Sequence, residues 1–270
     1  EQYGGQGLPL AYMGLILVEA GRVLAPVPLH STTVAALTIA IDGSEQQKQD
    51  ILPAVSDGGM VMTWAVAERD PRLIPEAMTL EAKADGDGWV LNGTKMFVDN
   101  FIVAQRCLVA ARTSPASDAN QGISLFLVDP NGTGVSQTAL LTLAKDKQSR
   151  VDFKDHRIEG AALVGELNEG WPIVEAMLDR AKAGLLEAAS WDTMGVTSRA
   201  YTDEWAYRVT NALAWGYDWL YDQLSDDERR LVRDALHERT RDIAEHAILN
   251  AKIHLFPYDS HAVRSVSLTL

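Results

Sequence analysis

Cysteine is nearly absent: Cys107 is the single one in 270 residues. It allows no internal disulfide and no thiolate metal cluster, which fits a reducing, cytoplasmic setting. No apolar run approaches the roughly 18 residues that a membrane span needs. No basic region precedes an apolar stretch near the start, so no signal peptide is visible. The chain opens Glu1-Gln-Tyr-Gly-Gly5 without a methionine, as expected of a processed end, a trimmed chain or a fragment. Basic charge is also scarce. Twenty-four Lys and Arg against 37 Asp and Glu leave a net charge of −13, which argues against a nucleic-acid groove as the main function. No Walker motif and no G-x-S-x-G sequence occurs, and His237 and His246 are nine apart rather than at i and i+4, so there is no zincin pair. What is present is ordinary: 47% hydrophobic and 23% charged residues exclude global disorder and a fibrous repeat.

The aromatic residues are unevenly spread. Eight Trp or Tyr residues fall between Trp191 and Tyr221, and only five precede that window. Four of the six histidines follow Leu236. Such a shift marks a segment boundary. Up to about Gly58 the chain reads as helical, with an apolar run over Leu8 to Val23 that Gly21, Pro26 and Pro28 end. Ser44 and Gln47 have capping-box spacing, and the helix they open is expected to stop near Pro53. From about Met60 to Gly165 the pattern is β. Asp85-Gly86, Asp87-Gly88 and Asn92-Gly93 supply turn residues beside short strands such as Trp89 to Leu91. Cys107 to Ala110 and Ile123 to Val128 are apolar enough for buried strands, with a loop over Thr113 to Gln121 between them. Helix returns from Glu169. Ser225 and Glu228 form a second capping box, opening a run that sets Leu231, Val232, Ala235, Leu236, Ile243, Ala244, Ala247 and Ile248 on one face.

Several short stretches, in this order and spacing, resemble the acyl-CoA dehydrogenase family over residues 1–182. They are Glu1 to Gly7, Ala65-Val-Ala-Glu68, Trp89-Val-Leu-Asn-Gly-Thr-Lys95, Val109-Ala-Ala-Arg112, and Val164-Gly-Glu166 followed by Glu169-Gly170. The resemblance implies flavin chemistry: FAD lies against the β-domain and takes a hydride from the β-carbon of an acyl-CoA thioester while a glutamate removes the α-proton. Its flavin-facing positions fall on Ala65, Val66 and Ala67 and on Phe97, Val98 and Asp99; ordinary strand packing is the alternative for all six. The sequence departs from the family after Glu68, where a proline and a Gly-Ser-Asp turn are usual and Arg69-Asp70-Pro71-Arg72 stands instead. Ala67 replaces a flavin-contacting threonine. Asp99 replaces a small hydroxyl residue, and its carboxylate would repel an anionic reduced flavin unless paired.

Beyond Arg180 the chain takes on another character. Leu185 to Asp192, Gly195 to Tyr201, Ala212 to Asp222 and Asp259 to Arg264 resemble the helical toroid of alginate- and heparin-type polysaccharide lyases. That resemblance implies a uronate oligosaccharide substrate cleaved by β-elimination. His261 and Arg264 are the candidate catalytic residues, neutralising the uronate carboxylate so that a base can remove the C5 proton. Helix packing is the plainer role for Trp215, Tyr217, Trp219 and Tyr221.

The expected fold is an α+β multidomain chain. An N-terminal helical domain covers 1–59, a β-barrel or sandwich domain 60–165, the start of a C-terminal helical domain 166–182, and a toroid-like helical segment 183–270. The join is expected between Asp179 and Glu187. Three functions stay open: an acyl-CoA dehydrogenase-like flavoprotein segment fused to a partial lyase and catalytically incomplete, a uronate lyase, or a non-catalytic partner subunit or chimera. The cofactor implied is FAD. Acyl-CoA or a uronate oligosaccharide is the expected substrate, with homo- or hetero-oligomers, no nucleic acid and no membrane as partners.

Overall fold

The computed structural model describes residues 2–7, 13, 16, 27–70, 72–115, 122–141, 147–190, 210, 213–214, 216–217 and 220–244. It divides into two compact units, Glu1–Met177 and Leu178–Leu270.

In the first unit, α1 (Leu29–Asp42) and α2 (Glu45–Ser56) precede the sheet. Ser44 caps α2 as its spacing predicts: the Gln47 amide donates to Ser44 Oγ at 3.2 Å, and the Ser44 amide donates to Gln47 Oε1 at 2.9 Å. The same Gln47 side chain donates to the carbonyls of Ala161 and Leu163, at 2.9 and 3.0 Å. One residue therefore closes the cap and ties the helix to the β-domain. α2 runs past Pro53 to Ser56 rather than stopping there. Pro53 and Gln49 both face outward, so water can serve the Gln49 carbonyl that loses its helical donor. α1 is held to the sheet through Thr32, whose Oγ1 donates to the Met62 carbonyl at 3.1 Å.

The β-domain is one mixed sheet of eight strands. They are β1 (Met62–Ala65), β2 (Glu81–Asp85), β3 (Gly88–Asp99), β4 (Arg106–Arg112), β5 (Ile123–Val128), β6 (Val135–Ala139), β7 (Gln148–Glu159) and β8 (Leu163–Val164). The order is β6-β7-β3-β2-β4-β5-β8, with β1 lying parallel to β4 off that path. Leu80, Leu91, Val109, Phe126, Val128 and Val151 belong to one buried cluster, so the curled sheet wraps its own core. Gly86 and Asp87 make the two-residue hairpin between β2 and β3, as their composition predicts. Asn92-Gly93 is not a turn. It lies inside β3, where the register against β7 shifts between Leu91 and Gly93. Gly93 has φ +145°, and a Cβ there would stand 2.8 Å from Leu80 Cα. The glycine serves a β-bulge and a close backbone approach.

α3 (Gly170–Ser190) covers the expected return to helix. In the second unit, Ser225 and Glu228 form their capping box at the start of α4 (Asp226–Ala244), with the Ser225 amide 2.8 Å from Glu228 Oε2. Lys182 also reaches Glu228, at 2.9 Å. The Ser225 amide first, and Lys182 with it, hold the Glu228 carboxyl down at about 2. The buried stripe of α4 differs from the expected one. Val232, Ala235 and Arg239 are buried and Leu231 is 44% exposed, because the i, i+3, i+7 line passes through Val232. Ala247 and Ile248 lie outside the described residues, as does nearly all of Leu8 to Val23. No helix among the described residues is long and apolar enough to cross a membrane.

Candidate functional site

The two segments singled out as flavin-facing are 30 residues apart in sequence and adjacent in space. β1 ends at Ala65, and the chain continues through Val66 and Ala67 alongside β3. The Met96 amide donates to the Ala67 carbonyl at 2.9 Å. Lys95 Nζ donates to the Val66 carbonyl at 3.0 Å and to Glu68 Oε1 at 2.7 Å.

Lys95 is fully buried and Glu68 is 3% exposed. The Glu68 carboxylate also accepts from the amides of Thr79 and Leu80, at 2.8 and 3.1 Å, and from the Thr79 hydroxyl. Burial alone would raise its pKa. The Lys95 charge and these donors outweigh it and hold the carboxyl below its ordinary value. The pair thus pins Val66 to Glu68 against β3. Both residues stand in the stretches quoted for the resemblance, yet nothing in their spacing announces the pairing.

Phe97 is the outlier. The register between β3 and β7 shifts again between Lys95 and Val98, so Met96 and Phe97 bulge from the ladder. Phe97 has φ +55° and is 58% exposed. A bulge re-aims a side chain, here by turning an aromatic ring out of the sheet. Its neighbours do the opposite. Ala65, Val66 and Val98 are 1–2% exposed, and Ala65 and Val98 sit in the β-domain core. Their side chains pack as ordinary strand residues do, which leaves Phe97, Ala67, Asp99 and main-chain groups to present to a ligand. Asp99 accepts the Thr63 hydroxyl through its carbonyl. Its charge acts on His30, where crowding by protein lowers the imidazole pKa and Asp99 pulls the other way. The net change is downward, so His30 stands beside Asp99 as a neutral imidazole at neutral pH and does not cancel its charge.

The turn after Glu68 is closed by side chains. Arg72 Nε lies 3.0 Å from Asp70 Oδ1, and the Arg72 amide donates to the same oxygen at 3.1 Å. These bonds hold the Asp70 carboxyl down at about 2. The lyase-type candidates His261 and Arg264 lie outside the described residues.

Residues 1–59 match the acyl-CoA dehydrogenase N-terminal domain, and residues 63–156 match the acyl-CoA dehydrogenase middle domain. The chain belongs to the acyl-CoA dehydrogenase-like proteins. It is similar to the probable acyl-CoA dehydrogenase FadE25 of Mycobacterium tuberculosis, with 31% identity over 187 residues, 67% of this chain and 48% of that protein. The chain spans about half the length of the curated relatives it matches. The acyl-CoA dehydrogenase of Geobacillus kaustophilus has a like fold, with TM-score 0.70 and 20% identity over 99% of this chain and 80% of that one. The ChsE4-ChsE5 complex of Mycobacterium tuberculosis gives 0.69 and 24%, over 99% and 78%. None of these comparisons supports the lyase toroid expected over 183–270, and the acyl-CoA dehydrogenase folds align over nearly the whole chain.

Proposed function

We propose that the chain forms the flavin-facing wall of an enzyme that dehydrogenates an acyl-CoA thioester between its α- and β-carbons. The observation that carries this reading is the meeting of Ala67 and Phe97 across the Met96–Ala67 hydrogen bond. The residues there suit FAD. An isoalloxazine ring needs a flat apolar face, and an outward phenyl ring beside a small Ala67 side chain offers one. When bound, FAD would supply the hydride acceptor for substrate oxidation. Phe97 would hold the ring through its exposed phenyl face and keep water from it. The Lys95–Glu68 pair fixes the Val66–Ala67 main chain against β3 and would so keep that edge in place for the ring. Asp99 makes the local charge negative, because crowding by protein holds the neighbouring His30 neutral.

Ala67 and the Asp70–Arg72 turn favour one further reading, a flavin-free partner subunit paired with a catalytic copy. Ala67 lacks the hydroxyl of the family threonine, and the ion-paired turn replaces Gly-Ser-Asp. Reconstitution with FAD and a visible spectrum after dialysis separate the two. The enzyme reading expects retained flavin absorbance that bleaches anaerobically with acyl-CoA. A colourless protein that gains activity only with a second subunit supports the partner reading.

A further inference from the structure

The same tripeptide, Asn-Gly-Thr, occurs twice in the β-domain, at Asn92 to Thr94 and at Asn131 to Thr133. When glycine follows asparagine, its backbone nitrogen can reach the side-chain carbonyl carbon, because no Cβ stands in the way. The fold puts the two copies in different settings. Asn92 is locked. Its Nδ2 donates to Asp155 Oδ1 at 3.2 Å, and its Oδ1 accepts from the Asp155 amide at 2.9 Å. It also lies within β3, between β2 and β7. Both ends of its amide are held, so Cγ is kept from swinging to the Gly93 nitrogen.

Asn131 has no such lock. It is exposed in the connection between β5 and β6, and its side chain makes no hydrogen bond among the described residues. Its own amide donates to Asp129 Oδ1 at 2.9 Å, and the Gly132 amide donates to the Asp129 carbonyl at 3.0 Å. A single turn bond therefore restrains the Gly132 nitrogen, and a surface turn opens at little cost. Packing dictates the glycine: a Cβ on residue 132 would stand 2.5 Å from His156 Cε1. The Thr133 carbonyl, next along, accepts from His156 Nδ1 at 2.8 Å. His156 is 4% exposed. The ring that demands a glycine thus places a labile pair at the surface, and the same turn shields that ring.

We propose that Asn131 is a modification site, converted by water to aspartate and isoaspartate while Asn92 stays intact, and that the isoaspartate form releases His156. The Gly132 nitrogen gives its proton to hydroxide and bonds to Asn131 Cγ. The Cγ–Nδ2 bond breaks, ammonia leaves and a succinimide remains. Water then opens that ring. Attack at Cγ gives aspartate; attack at the Asn131 main-chain carbonyl carbon gives isoaspartate. No oxidant or reductant is needed. In isoaspartate the backbone runs through Cβ and Cγ and is one carbon longer, which moves the Thr133 carbonyl away from His156 Nδ1.

The test incubates the full chain at mildly alkaline pH, folded and in urea, and follows both asparagines by peptide mass mapping. In the folded chain Asn131 should convert at least about tenfold faster than Asn92, because two side-chain hydrogen bonds must open first at Asn92. In urea the two identical tripeptides should convert at similar rates. The effect on the turn is read with diethyl pyrocarbonate. His156 should be protected in the fresh chain and reactive in the aged one. It should stay protected in an equally aged Asn131→Gln variant, whose longer side chain closes the ring poorly. Equal conversion of the two asparagines in the folded chain, or an Asn131 that converts only in urea, would overturn the site. Isoaspartate at position 131 with His156 still protected, or His156 equally reactive in the aged variant, would overturn the effect on the turn.

Discussion

Lys95 and Glu68 meet 2.7 Å apart inside the β-domain, the lysine fully buried and the glutamate nearly so. Two charges taken out of water are tolerated because each is bonded more than once. Lys95 reaches the Val66 carbonyl as well as Glu68, and Glu68 receives two backbone amides and a hydroxyl. The pair links β3 to the segment leaving β1, which is where the candidate flavin edge is built.

Removing one partner should therefore be severe. Lys95→Met leaves a buried carboxylate uncompensated and is expected to cost about 3–5 kcal/mol. Adding Glu68→Gln should return part of that loss, because a neutral amide oxygen still accepts from Thr79 and Leu80. Urea unfolding of the two variants checks the order. The pair also has a pH signature. Glu68 titrates below its ordinary value of 4.5 when folded. Its contribution is present above that value and is lost as pH falls through the folded pKa. Acid unfolding should be shallower in the double variant than in the native chain.

The Asp70–Arg72 turn makes a local prediction. Its carboxyl is held at about 2 by the hydrogen bonds from Arg72. The bond is present above the ordinary value of 3.8 and is lost as pH falls through about 2. In Arg72→Ala the Asp70 side-chain carbon signal should titrate near the ordinary value, while global stability should barely move because the pair is solvent-exposed.

Cys107 lies in β4 with no exposed surface, and burial pushes its thiol pKa up. It should react with a thiol reagent only after unfolding. Labelling in native buffer should be slower than in denaturant by orders of magnitude, at a rate that reports the opening of the β-domain core.

Much of the fold was legible in the residues. Both capping boxes, the Gly86–Asp87 hairpin and strand Ile123–Val128 stand where their patterns put them. The errors share one cause, since local signals do not report tertiary context. Asn92-Gly93 carries a turn signature, yet Leu80 packs against Gly93 and converts it to a bulge. Leu231 looks like core, but α4 leaves it exposed and buries Arg239 beside the expected Val232 and Ala235. At the candidate site the two family stretches do come together in space, but their side chains divide between core and surface. Ala65 and Val98 point into the core, whereas the Lys95–Glu68 pair and the bulge that turns out Phe97 depend on strand pairing that no linear motif encodes.

Phe97 provides the most direct test, because stability and binding pull it in opposite directions. Its φ of +55° is a left-handed conformation that glycine adopts without steric penalty and phenylalanine does not. With 58% of the residue exposed, little burial is lost on its removal. Phe97→Gly should therefore raise unfolding stability by about 1 kcal/mol. If the ring is the flavin-facing surface, the same change should weaken FAD binding about five- to tenfold, as expected for one lost aromatic contact. The decisive measurement is a flavin-fluorescence titration of the native chain and Phe97→Gly side by side with their unfolding curves. Saturable binding that weakens as stability rises is the predicted result. Flavin binding that is absent from the native chain, or unchanged in the variant, would contradict the account.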